Sequence, residues 1–157
     1  MSRVKILFLQ STAIVIYSAI IGLIFNWTSF NSLPLIAAKY IPLKDDPRII
    51  ALEDAKKLFD EAGSVFIDAR KQHDYANSHI PGALNFYAEE FGIEEEKSIT
   101  GLLPFDTMII AYCDGGECEL SRRLAERLGE IGYTKVRILV AGWDGWKKAG
   151  YPIERLN

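Results

Sequence analysis

The sequence predicts an α/β fold: a mostly parallel sheet with helices on its faces, preceded by one N-terminal transmembrane helix. Three observations predict it. Short apolar runs rich in β-branched residues alternate with helical patterns over the last two-thirds of the chain. The clearest of these runs are apolar on both faces, as strands buried in a parallel sheet are. Ahead of them, no charged residue occurs between Ile6 and Ala38.

The uncharged segment comes first. Ile6 to Trp27 is its most apolar part. At 1.5 Å per residue a helix of that length covers about 33 Å, which matches the roughly 30 Å hydrocarbon core of a bilayer. Trp27 would stand at the far interface. A cleaved signal peptide is the competing reading. The stretch is longer than the usual apolar region of such a peptide, and the best small-residue cleavage site, at Ala37 and Ala38, has Leu35 or Ile36 upstream. A buried globular helix would carry a polar stripe, and Gln10, Ser11, Thr12 and Ser18 are too few to make one. Arg3 and Lys5 flank the span on one side, while the first cation on the other is Lys39. The positive-inside rule then leaves the N-terminus in the cytoplasm. The expected arrangement is a transmembrane signal anchor at 1–27, a linker at 28–48 with three prolines, and a globular domain at 49–157. The chain would sit in the inner membrane with that domain facing the periplasm or exterior.

The domain's elements follow in order. "EDAKKLFDEAG" spaces Ala55, Leu58, Phe59 and Ala62 as a helix ending at Gly63. "VFIDA" and "ALNF" read as short strands, the second after "HIPG". "EEFGIEEEKSITGLL" reads as one or two short helices, with the Glu94–Glu96 run on a solvated face. "TMIIAYC" is the central strand. "LSRRLAERLGEIG" puts Leu120, Leu124, Leu128 and Ile131 on one face beside Ala125, with Gly132 as its cap. "KVRILVAG" is a further buried strand, and "WDGWKKAG" a terminal helix whose Trp143 and Trp146 pack onto the sheet. From Lys39 onward, 16 of the 18 Lys and Arg face all 21 Asp and Glu. That acidic balance, with no basic stripe, excludes a nucleic-acid partner.

The chemistry concentrates in "YCDGGECELS", which holds both cysteines, Cys113 and Cys118. Cys113 follows a buried strand and precedes a helix, and sites in parallel α/β sheets gather at the carboxyl ends of strands. Gly115 and Gly116 let the loop curl so that its amides converge. A sulfur at the centre of that curl, facing a helix N-terminus, is stabilised as thiolate. Two cysteines and two scattered histidines, His73 and His79, lack the paired spacing of a metal site. His79 reads as a turn-fixing residue and His73 as a surface one. Asp68 and Arg70 end a strand on the same side as Cys113, and a structural ion pair is the favoured reading for them.

Three segments in the right order resemble one known family. "VFIDARKQHDYANSHIPGALN" is similar to the first signature of rhodanese domains, "MIIAYC" to the strand that carries their active-site cysteine, and "VRILVAGWDGWKKAGYPIE" to their closing signature. The resemblance covers about two-thirds of the chain. It implies a rhodanese-like three-layer domain with a mostly parallel five-stranded sheet, no cofactor, and Cys113 as a sulfur carrier. The implied reaction is sulfur transfer through a Cys113 persulfide, whose charge the loop Asp114, Gly115, Gly116, Glu117, Cys118 and Glu119 would hold. The implied partners are a small sulfur donor or a persulfidated thiol, with a membrane protein as a further possibility.

The loop departs from the family in two ways. It is about two residues longer than the loops it resembles, and it holds Asp114, Glu117 and Glu119 with no cation before Ser121. Small anionic donors meet repulsion there unless Arg122 or Arg123 turns inward. Phosphatase chemistry lacks the arginine it needs. Cys118 is the second departure. It is a resolving thiol or disulfide partner for Cys113, or a small core residue. A thiol-redox module using both cysteines and a catalytically inactive binding domain are therefore the alternative functions.

Overall fold

The computed structural model describes residues 3–28, 45–116 and 119–156. The chain divides into two units, Met1–Tyr40 and Ile41–Asn157, and each is described by itself.

The first unit contains α1 (Arg3–Thr28). Its described apolar side chains are exposed all round: Ile14, Val15, Ile16 and Tyr17 are consecutive, so no single face of a helix could cover them. The hydroxyls of Ser11, Thr12 and Ser18 donate to the carbonyls of Phe8, Phe8 and Ile14, one turn back in the same helix. Among the described residues, no helix is long and apolar enough to cross a membrane. The side chains of Ile6, Leu7, Leu9 and Trp27, which the predicted span includes, lie outside the description, as does most of the predicted linker at 28–48.

The second unit runs α2 (Leu52–Asp60), β1 (Val65–Asp68), α3 (Gln72–Asn77), β2 (Leu84–Asn85), α4 (Ile93–Leu102), β3 (Ile109–Tyr112), α5 (Leu120–Glu130), β4 (Val136–Leu139) and α6 (Gly142–Lys148). The strands form a fully parallel sheet in the order β2-β1-β3-β4. The period-2 alternation of β3 sorts its side chains between the faces. Ile109 and Ala111 enter a core with Leu124, Ala125 and Leu128 of α5 and Ile99 of α4. Ile110 and Tyr112 enter another with Ala55 of α2 and Trp143 and Trp146 of α6. The domain therefore has three layers, with sheet between helices. Each fully buried Leu or Ile contributes roughly 1.5–3 kcal/mol.

The predicted fifth strand is a correction. Described residues give four strands, and the fifth position holds only an isolated parallel bridge, Ile49 to Ile138. Asp46 explains the shortening. Its carboxylate accepts from the Arg48 amide and its carbonyl from the Ile49 amide, which turns the chain just before the bridge. Ala51 caps α2 just after it. Only Ile49 and Ile50 are left to extend along β4, with backbone bonds on either side of Ile138.

Three smaller differences have local causes. The six-residue α3 has no apolar period to reveal it, and only Tyr75 ties it to the core. The helix α2 stops at Asp60, and the left-handed residue that closes it is Ala62 at φ +49°, not Gly63. Gly63 and Ala62 donate back to Leu58 and Phe59 in the same double-bonded cap that Gly132 and Tyr133 make after α5. The Glu94–Glu96 run is not wholly solvated: Glu95 reaches back to accept from the Gly92 amide, capping α4 at 3.0 Å.

Candidate functional site

Three chain segments leave the carboxyl end of the sheet side by side: Ala69–Lys71 after β1, Cys113–Gly116 after β3 and Val140–Ala141 after β4. The register puts Asp68, Tyr112 and Leu139 at one level across the strands. Cys113 is the next residue along, and it continues the face of Ile109 and Ala111 into the α5 side of the core. It is 1% exposed.

Ser121, also 1% exposed, places its Oγ 3.5 Å from Cys113 Sγ. It stands at the second position of α5, so the sulfur meets both a hydroxyl and the N-terminal end of an 11-residue helix. The sequence reading assigns Ser121 no role at the sulfur. The signal was there: Ser121 precedes Leu124, Ala125 and Leu128 by three, four and seven residues, so it is a polar residue in the buried stripe.

The loop is fixed from outside by the turn after β4. Trp143 and Asp144 donate their amides to the carbonyls of Cys113 and Asp114 at 2.7 and 2.8 Å, and Gly116 donates to Val140 at 3.0 Å. Two glycines permit this approach. A Cβ on Gly115 would lie 2.6 Å from the Ala141 carbonyl oxygen, and one on Gly142 2.5 Å from that of Cys113. The predicted cradle of loop amides does not include Gly116, whose amide bonds Val140 and holds the loop instead. Glu117 and Cys118 lie outside the described residues. Cys113 itself is disulfide-bonded in this structure.

Asp68 and Arg70 form a buried pair, at 0% and 4% exposure. The Arg70 amide and Nε donate to Asp68 Oδ1 at 2.9 and 3.0 Å, and Nη2 donates to Oδ2 at 2.7 Å. Nη2 also donates to the Ser78 carbonyl. The guanidinium lies over the ring of Trp143 at 5.1 Å. Burial depresses the Arg70 pKa, and the bond and charge of Asp68 outweigh it, so the group stays firmly charged. Its remaining edge comes within 3.7 Å of Asp114 Oδ1. Asp114 titrates above the usual carboxylate range, because burial outweighs the pull of Arg70 and because Asp74, Asp144 and Asp68 add negative charge.

The other predicted side chains are placed as follows. Arg122 lies between Glu119, at 2.5 Å, and Glu126, at 3.2 Å. Arg123 pairs with Glu89 at 3.5 Å. His79 stacks on Tyr75 and bonds its carbonyl through Nδ1, while its backbone pairs with Glu154. Trp143 and Trp146 are buried against the sheet, and Trp146 Nε1 donates to the Pro152 carbonyl.

The chain is similar to known proteins. The model of the rhodanese-like domain family matches residues 51–149. The chain is 35% identical over 94 residues to the thiosulfate sulfurtransferase GlpE of Haemophilus influenzae, covering 60% of this chain and 83% of that one. It is 30% identical over 105 residues to the protein of the same name from Actinobacillus pleuropneumoniae, covering 67% and 91%. Among solved structures, the BH2092 protein of Bacillus halodurans superposes with a TM-score of 0.61 at 23% identity, over 69% of this chain and 77% of that one. At that identity the likeness shows the fold.

Proposed function

The chain belongs to the rhodanese-like domain family, and from that premise we propose that it is a membrane-anchored sulfurtransferase using Cys113 as its sulfur carrier. The observation that carries the reading is Cys113 itself: a buried sulfur at the end of the central strand, beside the Ser121 hydroxyl and the start of α5. The transfer has two halves. The reduced Cys113 thiolate attacks the outer sulfur of a donor, the donor's sulfur–sulfur bond breaks, and the electron pair leaves with the donor's remaining fragment. Cys113 then holds a persulfide. A thiolate or cyanide takes the outer sulfur and returns the Cys113 thiolate, which predicts ping-pong kinetics. Ser121 donates to the anionic sulfur, while the bonds from Trp143, Asp144 and Gly116 keep the loop in shape around it.

The disulfide on Cys113 supports a second reading, a thiol-redox module with Cys118 as partner. The two separate by experiment. The full chain is reduced with a dithiol, desalted and incubated with sulfane donors. Intact-protein and peptide mass spectra should show one added sulfur atom on Cys113, removable by cyanide. Cys113→Ser should abolish it and Cys118→Ser should keep it. No added sulfur with any donor, together with disulfide exchange that needs both cysteines, would replace the first reading by the second.

The anchor rests on the uncharged sequence from Ile6 to Trp27 and on the exposed apolar surface of α1, whose hydroxyls bond within the helix. Arg3 and Lys5 orient it, with residues 49–157 outside the cytoplasm. A reporter fused after Asn157 should be active only outside; activity only in the cytoplasm overturns the orientation.

A further inference from the structure

Among the described residues, the arginines that flank the Cys113 loop are paired with carboxylates. Arg70 is buried against Asp68, Arg122 lies between Glu119 and Glu126, and Arg123 meets Glu89. Lys71 lies over the ring of Tyr87. The acids outnumber them: Asp114 shares Arg70, at 3.7 Å, with the buried Asp68. Asp114 follows the cysteine directly with its side chain 59% exposed. The Asp144 amide bonds the Asp114 carbonyl, which brings a second exposed carboxylate to the same rim. Asp74 of α3 acts on Asp114 through its charge as well.

Charge balance then divides the donors. With thiosulfate the step is thiolate plus S–SO3²⁻, giving Cys113–S–S⁻ and sulfite. Three negative charges meet beside those acids. With a hydropersulfide it is thiolate plus R–S–SH, giving Cys113–S–SH and R–S⁻. If R is neutral the only negative charge is that of the thiolate itself, and if R carries a cation the pair is neutral overall. We infer that this site selects a sulfur donor without fixed negative charge, best a hydropersulfide on a cationic carrier, and discriminates against thiosulfate and other sulfane oxyanions. The inference rests on the sulfurtransferase reading and deepens it.

The test uses the reduced full chain and two probes with the same reacting group: the persulfides of cysteamine, which is cationic, and of 3-mercaptopropionate, which is anionic. Thiosulfate is the third donor. Persulfide formation on Cys113 is followed by quenched-flow mass spectrometry. The cysteamine persulfide should react at least roughly tenfold faster than the mercaptopropionate one at low salt, and the ratio should shrink as salt screens the acids. Asp114→Asn with Asp144→Asn should shrink it several-fold, chiefly by speeding the anionic donors. Equal rates, a ratio unmoved by salt and by the double variant, or a preference for thiosulfate would each overturn the charge selection while leaving sulfur transfer standing. No persulfide from any donor would overturn the sulfurtransferase reading, and the selection with it.

Discussion

At the end of β1 the chain sets Asp68 and Arg70 two residues apart and buries both; after β3 it sets Cys113 and Asp114 side by side and buries only the cysteine. The two segments leave neighbouring strands at the same level of the sheet. In the first, the polar atoms find protein partners. The Arg70 donors reach Asp68 and Ser78, and Asn85 Nδ2 donates to the carbonyls of Asp68 and Arg70. In the second, the backbone is tied down by the turn after β4 while the Asp114 carboxylate stays open to solvent. The difference separates frame from site. A buried pair whose cation is taken up by Asp68, Ser78 and Asp114 holds the loops, and the negative charge left at the rim is what a substrate meets. Arg70, a cation beside the site, is thereby unfit to recruit an anion.

The largest effect should come from opening the buried pair. Arg70→Ala keeps the backbone amide on Asp68 but leaves the buried carboxylate without its countercharge, which costs about 3–5 kcal/mol. Urea unfolding followed by far-UV circular dichroism should show the midpoint fall accordingly. Arg70→Lys, which cannot form the forked contact, should fall part of the way. If Arg70→Ala keeps its stability but loses anionic donors selectively, Arg70 belongs to the site and the contrast between the loops fails.

Next is the interlock that shapes the open loop. Gly142 has φ +57°, and an added Cβ would lie 2.5–2.7 Å from backbone atoms of Cys113, Asp114 and Gly115. Gly142→Ala combines left-handed strain with overpacking, for about 2–4 kcal/mol in total. It should also displace the Cys113 carbonyl from the Trp143 amide, so persulfide formation should drop more than the loss of folded protein explains. Gly116→Ala, with nothing within 4 Å of its Cβ but φ +65°, should cost only the strain, about 1–2 kcal/mol. Equal losses of rate per folded molecule in both variants would show that the turn after β4 does not shape the site.

How far the sequence reveals these features depends on what a linear pattern can encode. Burial is encoded by period, so β1, β3, β4 and the Leu124–Leu128 stripe of α5 stand out, and the carboxyl end of β3 marks Cys113. Edges and partners are not encoded in that way. The fifth strand shrinks to a bridge because Asp46 turns the chain, an effect of one side chain on one amide. The six residues of α3 carry too little apolar surface to show a period. The pairing of Arg70 with Asp68 could be read from their spacing, but the reach of Gly116 to Val140 joins loops 24 positions apart and only the fold shows it. Ser121 lay between: visible as a break in an apolar stripe, meaningful once the sulfur is seen beside it.

Ser121→Ala sharpens the contrast at the sulfur. A hydrogen bond to a charged acceptor is worth roughly 1.5 kcal/mol at its lower end, so persulfide formation should slow by about tenfold. Losing a donor to the thiolate should also move the pH of half-maximal rate upward, and Ser121→Thr should restore it. A slower rate with an unmoved pH profile would leave Ser121 as packing alone.

The smallest effect belongs to the rim acid. The Asp114 pKa is raised in the folded chain, so folded protein holds that proton more tightly than unfolded protein does. Its ionised form therefore weakens the fold. The loss is full above the folded-state pKa and disappears as pH falls through that value toward the ordinary one. Because the side chain is 59% exposed, solvent screens most of this, and Asp114→Asn should stabilise by no more than ~0.5 kcal/mol at neutral pH. The gain should vanish in acid, where the native carboxyl is already neutral. Urea midpoints at neutral and acidic pH measure both. A variant clearly less stable than the parent at neutral pH would mean that the contact at 3.7 Å between Arg70 and Asp114 is part of the closed frame, and that the boundary between the two loops lies one residue further along the chain.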